Sequence, residues 1–425
     1  MKILSITAQK PNSTGSGVYL TELVKEYAAW GYEQAVVAGV YEDDEVELPD
    51  GVGFYPVYFC EERNEAACEE KKSGMAEGEA GRKSGTVKDG AEKLWFPIAG
   101  MSDEMPYKST RYGDMTPDMA KEFKKAFLKT VERAVKRLKP DVIYCHHLYL
   151  LTAAVREAFP EYTVYGFCHN TDLRQMQKTD LERAFIKEQI RKLDRIFVPQ
   201  RAQEQGVREI YGVDPEKITR AGMGYNSKIF HITGEKKKDD VVRIVFAGKI
   251  AKKKGVISLF RALSILDYDK GKLKIYLAGS TGNQEEYEEI LRLARECPYE
   301  AVFLGRLLQP ELSKVYNNCD IFVLPSFFEG IPLTVIEALA CGDRVVMTDL
   351  PGIREWLLET APGADVRYVS LPAMKNTDEP LEEELPEFEK RLAGALMESI
   401  AKGSGGTADV SGISWERIAK EVIKK

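Results

Sequence analysis

The 425-residue chain has no C-x-x-C pair, only four histidines and no apolar stretch approaching the twenty or so residues that span a bilayer. Its seven cysteines, at positions 60, 68, 145, 168, 297, 319 and 341, are odd in number and scattered. They outline neither a zinc site nor a disulfide framework and suit reduced thiols in the cytoplasm. Positive charge is not in excess: 60 Lys and Arg stand against 67 Asp and Glu, a formal charge of −7. That balance argues against nucleic acid as the main partner and leaves room for a local basic patch. The first apolar run, "KILSIT", is six residues long and alternates like a strand, with no small-residue cleavage site after it, which argues against a secretory leader.

A dinucleotide fingerprint is also missing. The stretch "PNSTGSGVYLTEL", Pro11 to Leu23, offers Gly15 and Gly17 ahead of a helix, but Leu20 occupies the place of the third glycine. Two readings stay open for it: a plain entry from loop to helix, or a glycine pair that lets backbone amides approach an anion.

What the chain does have is length and rhythm. At 425 residues it exceeds one ordinary core. Short apolar runs alternate with helical segments: "KILSIT", "QAVVAGV", "DVIYCHH", "YTVYGFCH" and "RIFVPQ", then "RIVFAGKI", "KLKIYLAGS", "AVFLGRL", "IFVLPS" and "RVVMTD". This predicts an α/β protein of two Rossmann-like, doubly wound domains facing a central cleft into which the carboxyl ends of both sheets point. The expected boundaries are 1–222 for an N-terminal domain and 223–240 for a linker. Residues 241–405 follow as a second domain, and 406–425 as a last helix returning to the N-terminal domain. Residues 68–93, rich in Gly, Ser, Lys and Glu, read as a mobile insertion.

The chemistry concentrates in "LPSFFEGIPLTVIEALACG", Leu324 to Gly342. A buried strand gives way to a loop with Glu329 and Gly330, and a helix is expected to open at Pro332, a residue suited to the first helical position. The amides of Leu333, Thr334 and Val335 would then point outward, with Glu337 one turn further in. Such an arrangement suits a ligand with an anionic part and several hydroxyls. Its plain structural alternative is an acid complementing the helix dipole. A second stretch, "FAGKIAKKKGVISLF", places Lys249 and Lys254 at the carboxyl end of a strand, where lysine serves as a point charge for phosphate.

The combination resembles the retaining glycosyltransferases of family 4, which have the GT-B fold. Glu329 and Glu337 match that family's E-x7-E motif. Gly248, Lys249, Lys254 and Gly255 match its G-R-x4-K-G, with Lys249 in place of arginine, which loses the bidentate fork and keeps the charge. "FLGRLLQPELSKVYNNCDIFVLPS" is similar to the family's base-binding region and "SWERIAKEV" to its C-terminal helix. The resemblance implies a transferase moving a sugar from a nucleotide-sugar donor, a UDP-sugar by family base rates, to an acceptor that is a glycan, lipid-linked or small molecule. It implies no cofactor and no metal. Lys249 and Lys254 would hold the diphosphate and stabilise its departure, and Glu337 would bind the ribose. Glu329, with the amides of Gly330, Ile331 and Leu333, would meet the transferred sugar, while Leu307 and Leu308 would hold the base. In the N-terminal domain, His169 in "VYGFCHNTD" best matches the family's histidine beside the reacting sugar, with His146 and His147 as second candidates. Gly17 becomes the counterpart of the family's N-terminal glycine loop.

Two rival functions share the fold: a nucleotide-sugar isomerase or epimerase, and a silent subunit that binds a partner enzyme. The helix at 121–140 carries eight Lys or Arg against two Glu, with Phe123, Phe127, Val131, Ala134 and Leu138 at helical spacing. It is either a core stripe or a peripheral contact with the inner face of a membrane. The acidic runs "EDDE" at 42–45 and "DYD" at 267–269 read as solvated turns.

Overall fold

The computed structural model describes residues 1–63, 90–102, 105–234, 236, 239–376, 378–403 and 408–424. The chain forms two compact units, Met1–Gly222 with Ile418–Lys425, and Met223–Arg417. Both are parallel sheets covered by helices, the α/β doubly wound pattern expected from the alternating runs.

The first unit carries strands β1 (Lys2–Thr7), β2 (Glu33–Val40), β3 (Gly53–Phe59), β4 (Glu92–Leu94), β5 (Ala99–Gly100), β6 (Thr110–Arg111), β7 (Val142–His146), β8 (Val164–Phe167), β9 (Arg195–Val198) and β10 (Ile218–Arg220). Its helices are α1 (Gly15–Ala29), α2 (Pro117–Leu138), α3 (Leu150–Ala158), α4 (Thr171–Lys178), α5 (Arg183–Arg191) and α6 (Arg201–Tyr211). Eight strands form one sheet in the order β10-β9-β8-β7-β1-β2-β3-β4. Chain order runs outward from β1 on one side and from β7 on the other, so the crevice at the switch point opens beyond the carboxyl ends of β1 and β7. The central strands are apolar on both faces, with Ile3, Leu4, Ile6 and Ile143 fully buried, as a sheet covered on both sides requires.

Residues 68–89 of the expected insertion lie outside the described residues, and the boundary at 93 needs correction. Glu92 and Lys93 belong to β4, paired with Val57 and Tyr58 of β3. Helix α2 settles the amphipathic stripe. Thr116 caps it by accepting from the Met119 amide, Pro117 sits in its first turn, and Lys139 ends it in the left-handed conformation. Phe123, Phe127, Val131, Ala134 and Leu138 are all buried in the core of this unit. The expected membrane contact through 121–140 therefore loses its apolar face, since each such side chain returned to water would cost roughly 1.5–3 kcal/mol. No helix among the described residues is long and apolar enough to cross a membrane.

The second unit continues with β11 (Val242–Ala247), β12 (Leu273–Ala278), β13 (Glu300–Gly305), β14 (Ile321–Leu324), β15 (Arg344–Asp349) and β16 (Val366–Ser370). Helices α7 (Val256–Ser264), α8 (Gln284–Glu296), α9 (Gln309–Asn318), α10 (Leu333–Ala340), α11 (Ile353–Thr360) and α12 (Leu385–Lys402) complete it, and α13 (Trp415–Ile423) follows at its end. The sheet order β13-β12-β11-β14-β15-β16 is the mononucleotide-binding order with its switch point between β11 and β14. The stretch 223–240, expected as a linker, is packed into this unit in part: Tyr225 and Phe230 join its core, and Lys236 reaches the buried carboxylate of Asp343 at 2.5 Å. From Ile418 onward α13 belongs to the first unit, where the Tyr27 hydroxyl donates to the Ala419 carbonyl at 3.2 Å.

Candidate functional site

In the second unit the adjacency of β11 and β14 assembles the site. The loop after β11 carries Lys249 to Gly255, and the loop after β14 carries Pro325 to Pro332. They touch because Gly255 lacks a side chain. At φ +69° it caps the turn into α7, and a Cβ there would lie 2.0 Å from the Pro325 carbonyl oxygen. The Phe327 amide donates to the Lys253 carbonyl at 3.1 Å, tying the loops edge to edge. On this frame the Lys254 ammonium meets Glu329 Oε1 at 2.7 Å, and the fully buried Ser326 hydroxyl donates to the same oxygen, also at 2.7 Å. Both loops are thus fixed around one carboxylate whose second oxygen is left over. Ser326 had no signal in the sequence beyond its place in the loop.

Glu337 lies on α10, 8% exposed, and makes no ion pair among the described residues. Burial alone pushes its carboxyl up from 4.5 to about 7. The helix opens one residue later than expected, with Pro332 at the cap. Two of the three amides expected to point outward are already engaged: Leu333 donates to the Ile331 carbonyl and Val335 to that of Pro332, each at 3.0 Å. Thr334 is thus the first-turn amide left over, beside an exposed Gly330 with open space around it and a half-buried Ile331.

Lys249 and the two leucines expected to hold the base are placed less tightly. Lys249 is exposed and leans over the loop after β12, where a Cβ on Gly282 would lie 3.1 Å from its Cε. It makes no ion pair among the described residues. Leu307 packs against the core, whereas Leu308 is 72% exposed. The Leu308 amide donates to Glu311 Oε2 at 2.9 Å and its carbonyl accepts from Glu311 and Leu312, so its backbone serves the cap of α9. That engages the Leu308 backbone groups within the protein.

In the first unit the carboxyl ends of β1, β7 and β8 gather the histidines. His146 ends β7, His147 follows it and His169 follows β8. His146 Nδ1 lies 3.1 Å from His169 Nε2, with ring centroids 5.3 Å apart and ring planes 14° apart. His147 Nε2 lies 3.0 Å from the Ser16 hydroxyl, which also reaches Gln9 Oε1 at 3.2 Å. Burial holds all three imidazoles neutral, His169 down to about 3. Asn12, His147 and Asn170 have φ values of +60°, +72° and +69° in these loops. Such strain in non-glycine residues persists where the surroundings over-determine it. Part of that determination is Asp172, fully buried, which accepts from the amides of Leu148 at 2.9 Å and His169 at 3.2 Å. Its role was not visible in spacing.

Gly17 is corrected by the same loop. Helix α1 starts at Gly15, so both glycines lie in its first turn, capped by Thr14 accepting from the Gly17 amide at 3.2 Å. A Cβ on Gly17 would lie 2.8 Å from the Lys10 carbonyl oxygen and 3.0 Å from the Asn12 amide. The missing side chain makes room for the protein's own backbone, while Gly15 faces open space. Gly17→Ala should therefore cost about 1–3 kcal/mol of stability by overpacking, and Gly15→Ala should stay within about 0.5 kcal/mol. Urea midpoints of the two variants measure the difference, and equal midpoints would refute the assignment.

Among the described residues no group of three His, Cys, Asp or Glu side chains gathers as metal ligands.

Comparison with known proteins fits this geometry. Residues 227–366 match the family model for glycosyl transferases group 1, and residues 108–227 match that for Glycosyltransferase Family 4. An uncharacterized glycosyltransferase of Methanocaldococcus jannaschii is 30% identical over 153 residues, 36% of this chain and 38% of that protein. A D-inositol 3-phosphate glycosyltransferase of Stackebrandtia nassauensis is 28% identical over 217 residues, 47% of this chain and 49% of that one. The matched regions thus span less than half the length of these relatives. Among solved structures, sucrose-phosphate synthase from Thermosynechococcus elongatus superposes with a TM-score of 0.60 at 15% identity, covering 99% of this chain and 97% of that one. Anabaena HepE in complex with UDP gives 0.58 at 13% identity, covering 99% and 98%. At these identities the structures speak to the fold. The two family models meet at Ser227, so residues 108–366 are similar to glycosyltransferases, and the fold of the chain is GT-B.

Proposed function

We propose that the protein transfers a sugar from a nucleotide-sugar donor, a UDP-sugar in the first instance, to a hydroxyl-bearing acceptor with retention of anomeric configuration and without a divalent metal. The observation that carries this reading is the Lys254–Glu329–Ser326 cluster at the switch point of the second sheet, with the buried Glu337 on the next helix. A cation that can exchange a carboxylate for a diphosphate supplies the charge a metal would otherwise bring to the leaving group. The free oxygen of Glu329 and the carboxyl of Glu337 supply acceptors for sugar and ribose hydroxyls. A neighbour of the same fold crystallised with UDP-glucose supports the choice of base. Family 4 membership of the reaction, its retaining outcome and the acceptor all belong to this proposal.

In the presence of UDP the melting temperature should rise with the logarithm of ligand concentration. Slow hydrolysis of UDP-sugars should persist in EDTA. No shift with any nucleoside diphosphate would overturn the reading, and activity abolished by EDTA and restored by Mg²⁺ would overturn its metal-free part. Formation of an epimer from the donor alone would favour the isomerase instead.

A further inference from the structure

His146 is buried to 3% exposure with its ring stacked on Phe167 at 4.7 Å and 8°. Its Nδ1 bonds to His169 Nε2 at 3.1 Å, and its Nε2 is buried with no partner among the described residues. A neutral imidazole carries one N–H, so this bond allows two arrangements. If His169 donates from Nε2, His146 must carry its proton on Nε2 and bury an N–H with no acceptor. If His146 donates from Nδ1, only a bare ring nitrogen is buried there, and His169 must carry its proton on Nδ1. Orphaned buried N–H groups are rarer than under-satisfied acceptors, which selects the second arrangement. Asp172 fixes the other end of the same residue, accepting from the His169 amide at 3.2 Å.

From this geometry we propose that His146 is a positioning residue that locks His169 in the Nδ1–H tautomer, so that His169 offers a ligand a neutral hydrogen-bond donor and no basic nitrogen. Histidine in water prefers the Nε2–H form, so His146 opposes the intrinsic preference. The atom a ligand would present to His169 is then an accepting oxygen, such as that of a sugar hydroxyl. That last step rests on the transferase reading; the tautomer does not.

Long-range ¹H–¹⁵N spectra of the full chain labelled on its four histidines read the tautomers directly. The wild type should show His169 and His146 each protonated on Nδ1. His146→Leu should return His169 to the Nε2–H form and lower kcat about tenfold, the worth of one aligned hydrogen bond, with donor KM little changed. His146→Asn, whose amide N–H falls near the lost Nδ1, should restore the Nδ1–H form and recover most of the lost turnover. His169 protonated on Nε2 in the wild type overturns the proposal even if the leucine variant does not fold. An unchanged His169 tautomer in folded His146→Leu does the same. A correct tautomer in a protein that hydrolyses no nucleotide sugar would instead sink the functional reading and leave the lock standing.

Discussion

Lys254→Ala and Glu329→Ala should each lower turnover at saturating donor by about 10²–10³ while leaving the fold intact. The expectation starts from how the two side chains are held. Gly255 lets the lysine loop lie on the Pro325 carbonyl, and the Phe327 amide ties the loops together, so the backbone that carries Lys254 is fixed beside the Glu329 loop. A charge so preorganised acts mainly where charge develops, on the departing diphosphate, and its loss should reduce kcat and kcat/KM together. Glu329 is different in kind. Its Oε1 is taken by Lys254 and Ser326, each at 2.7 Å, and its other oxygen is what remains for a sugar hydroxyl. Because the two side chains share one contact, the double variant should lose less than the product of the single losses. Steady-state rates of donor hydrolysis in the two single variants and the double test this. Wild-type rates in both single variants would remove the cluster from the chemistry.

How much of this could be read from the chain depends on sequence distance. "KILSIT" is β1 residue for residue, since a strand covered on both faces is an unbroken apolar run between polar ends. Strand β3, "GFYPVYF", escaped because Pro56 argues against a central strand. The sheet tolerates it because β4 pairs only with Val57 to Phe59, and among the described residues no strand pairs with Pro56 on that side. Strand β16, "VRYVS", escaped because it is an edge strand with half-exposed side chains. At the site, residue types were legible and their contacts were not. Lys254 and Glu329 are 75 residues apart and meet only because β14 inserts beside β11. The histidines stood out as strand ends, but their stacking depends on the register of β7 against β8, where His146 pairs with Phe167. The close approach of the Lys10 carbonyl to Gly17 was not legible, because a glycine's sequence position does not show what lies against its missing side chain.

Glu337→Gln should stabilise the protein at pH 8 and weaken donor binding at the same time. Burial, with no ion pair among the described residues, holds the Glu337 carboxyl at about 7 in the folded chain, against 4.5 for an ordinary glutamate. Between those values the native state binds the proton that the unfolded chain has released, so stability falls as pH rises from about 4.5 to about 7 and the full cost persists above it. The gap corresponds to roughly 3 kcal/mol, which glutamine, carrying no charge, should return. The melting temperature of the variant should therefore exceed that of the wild type by several degrees at pH 8 and coincide with it near pH 4. Donor binding should move the other way. An ionised carboxylate accepting from ribose hydroxyls makes charge-assisted bonds, and their loss should raise the donor Kd about 10–100-fold at pH 8. In the wild type the affinity should weaken as pH drops through 7, and in Glu337→Gln that pH dependence should vanish. Calorimetric titrations with UDP across pH 6 to 8, alongside melts of both proteins, measure the two effects separately. A glutamine variant that is less stable at pH 8 would show that Glu337 has a compensating partner in the folded chain. One that binds UDP as tightly as the wild type would remove Glu337 from the donor site. A group that costs stability when ionised and serves binding only in that state is the pattern expected of a side chain kept for a ligand rather than for the fold.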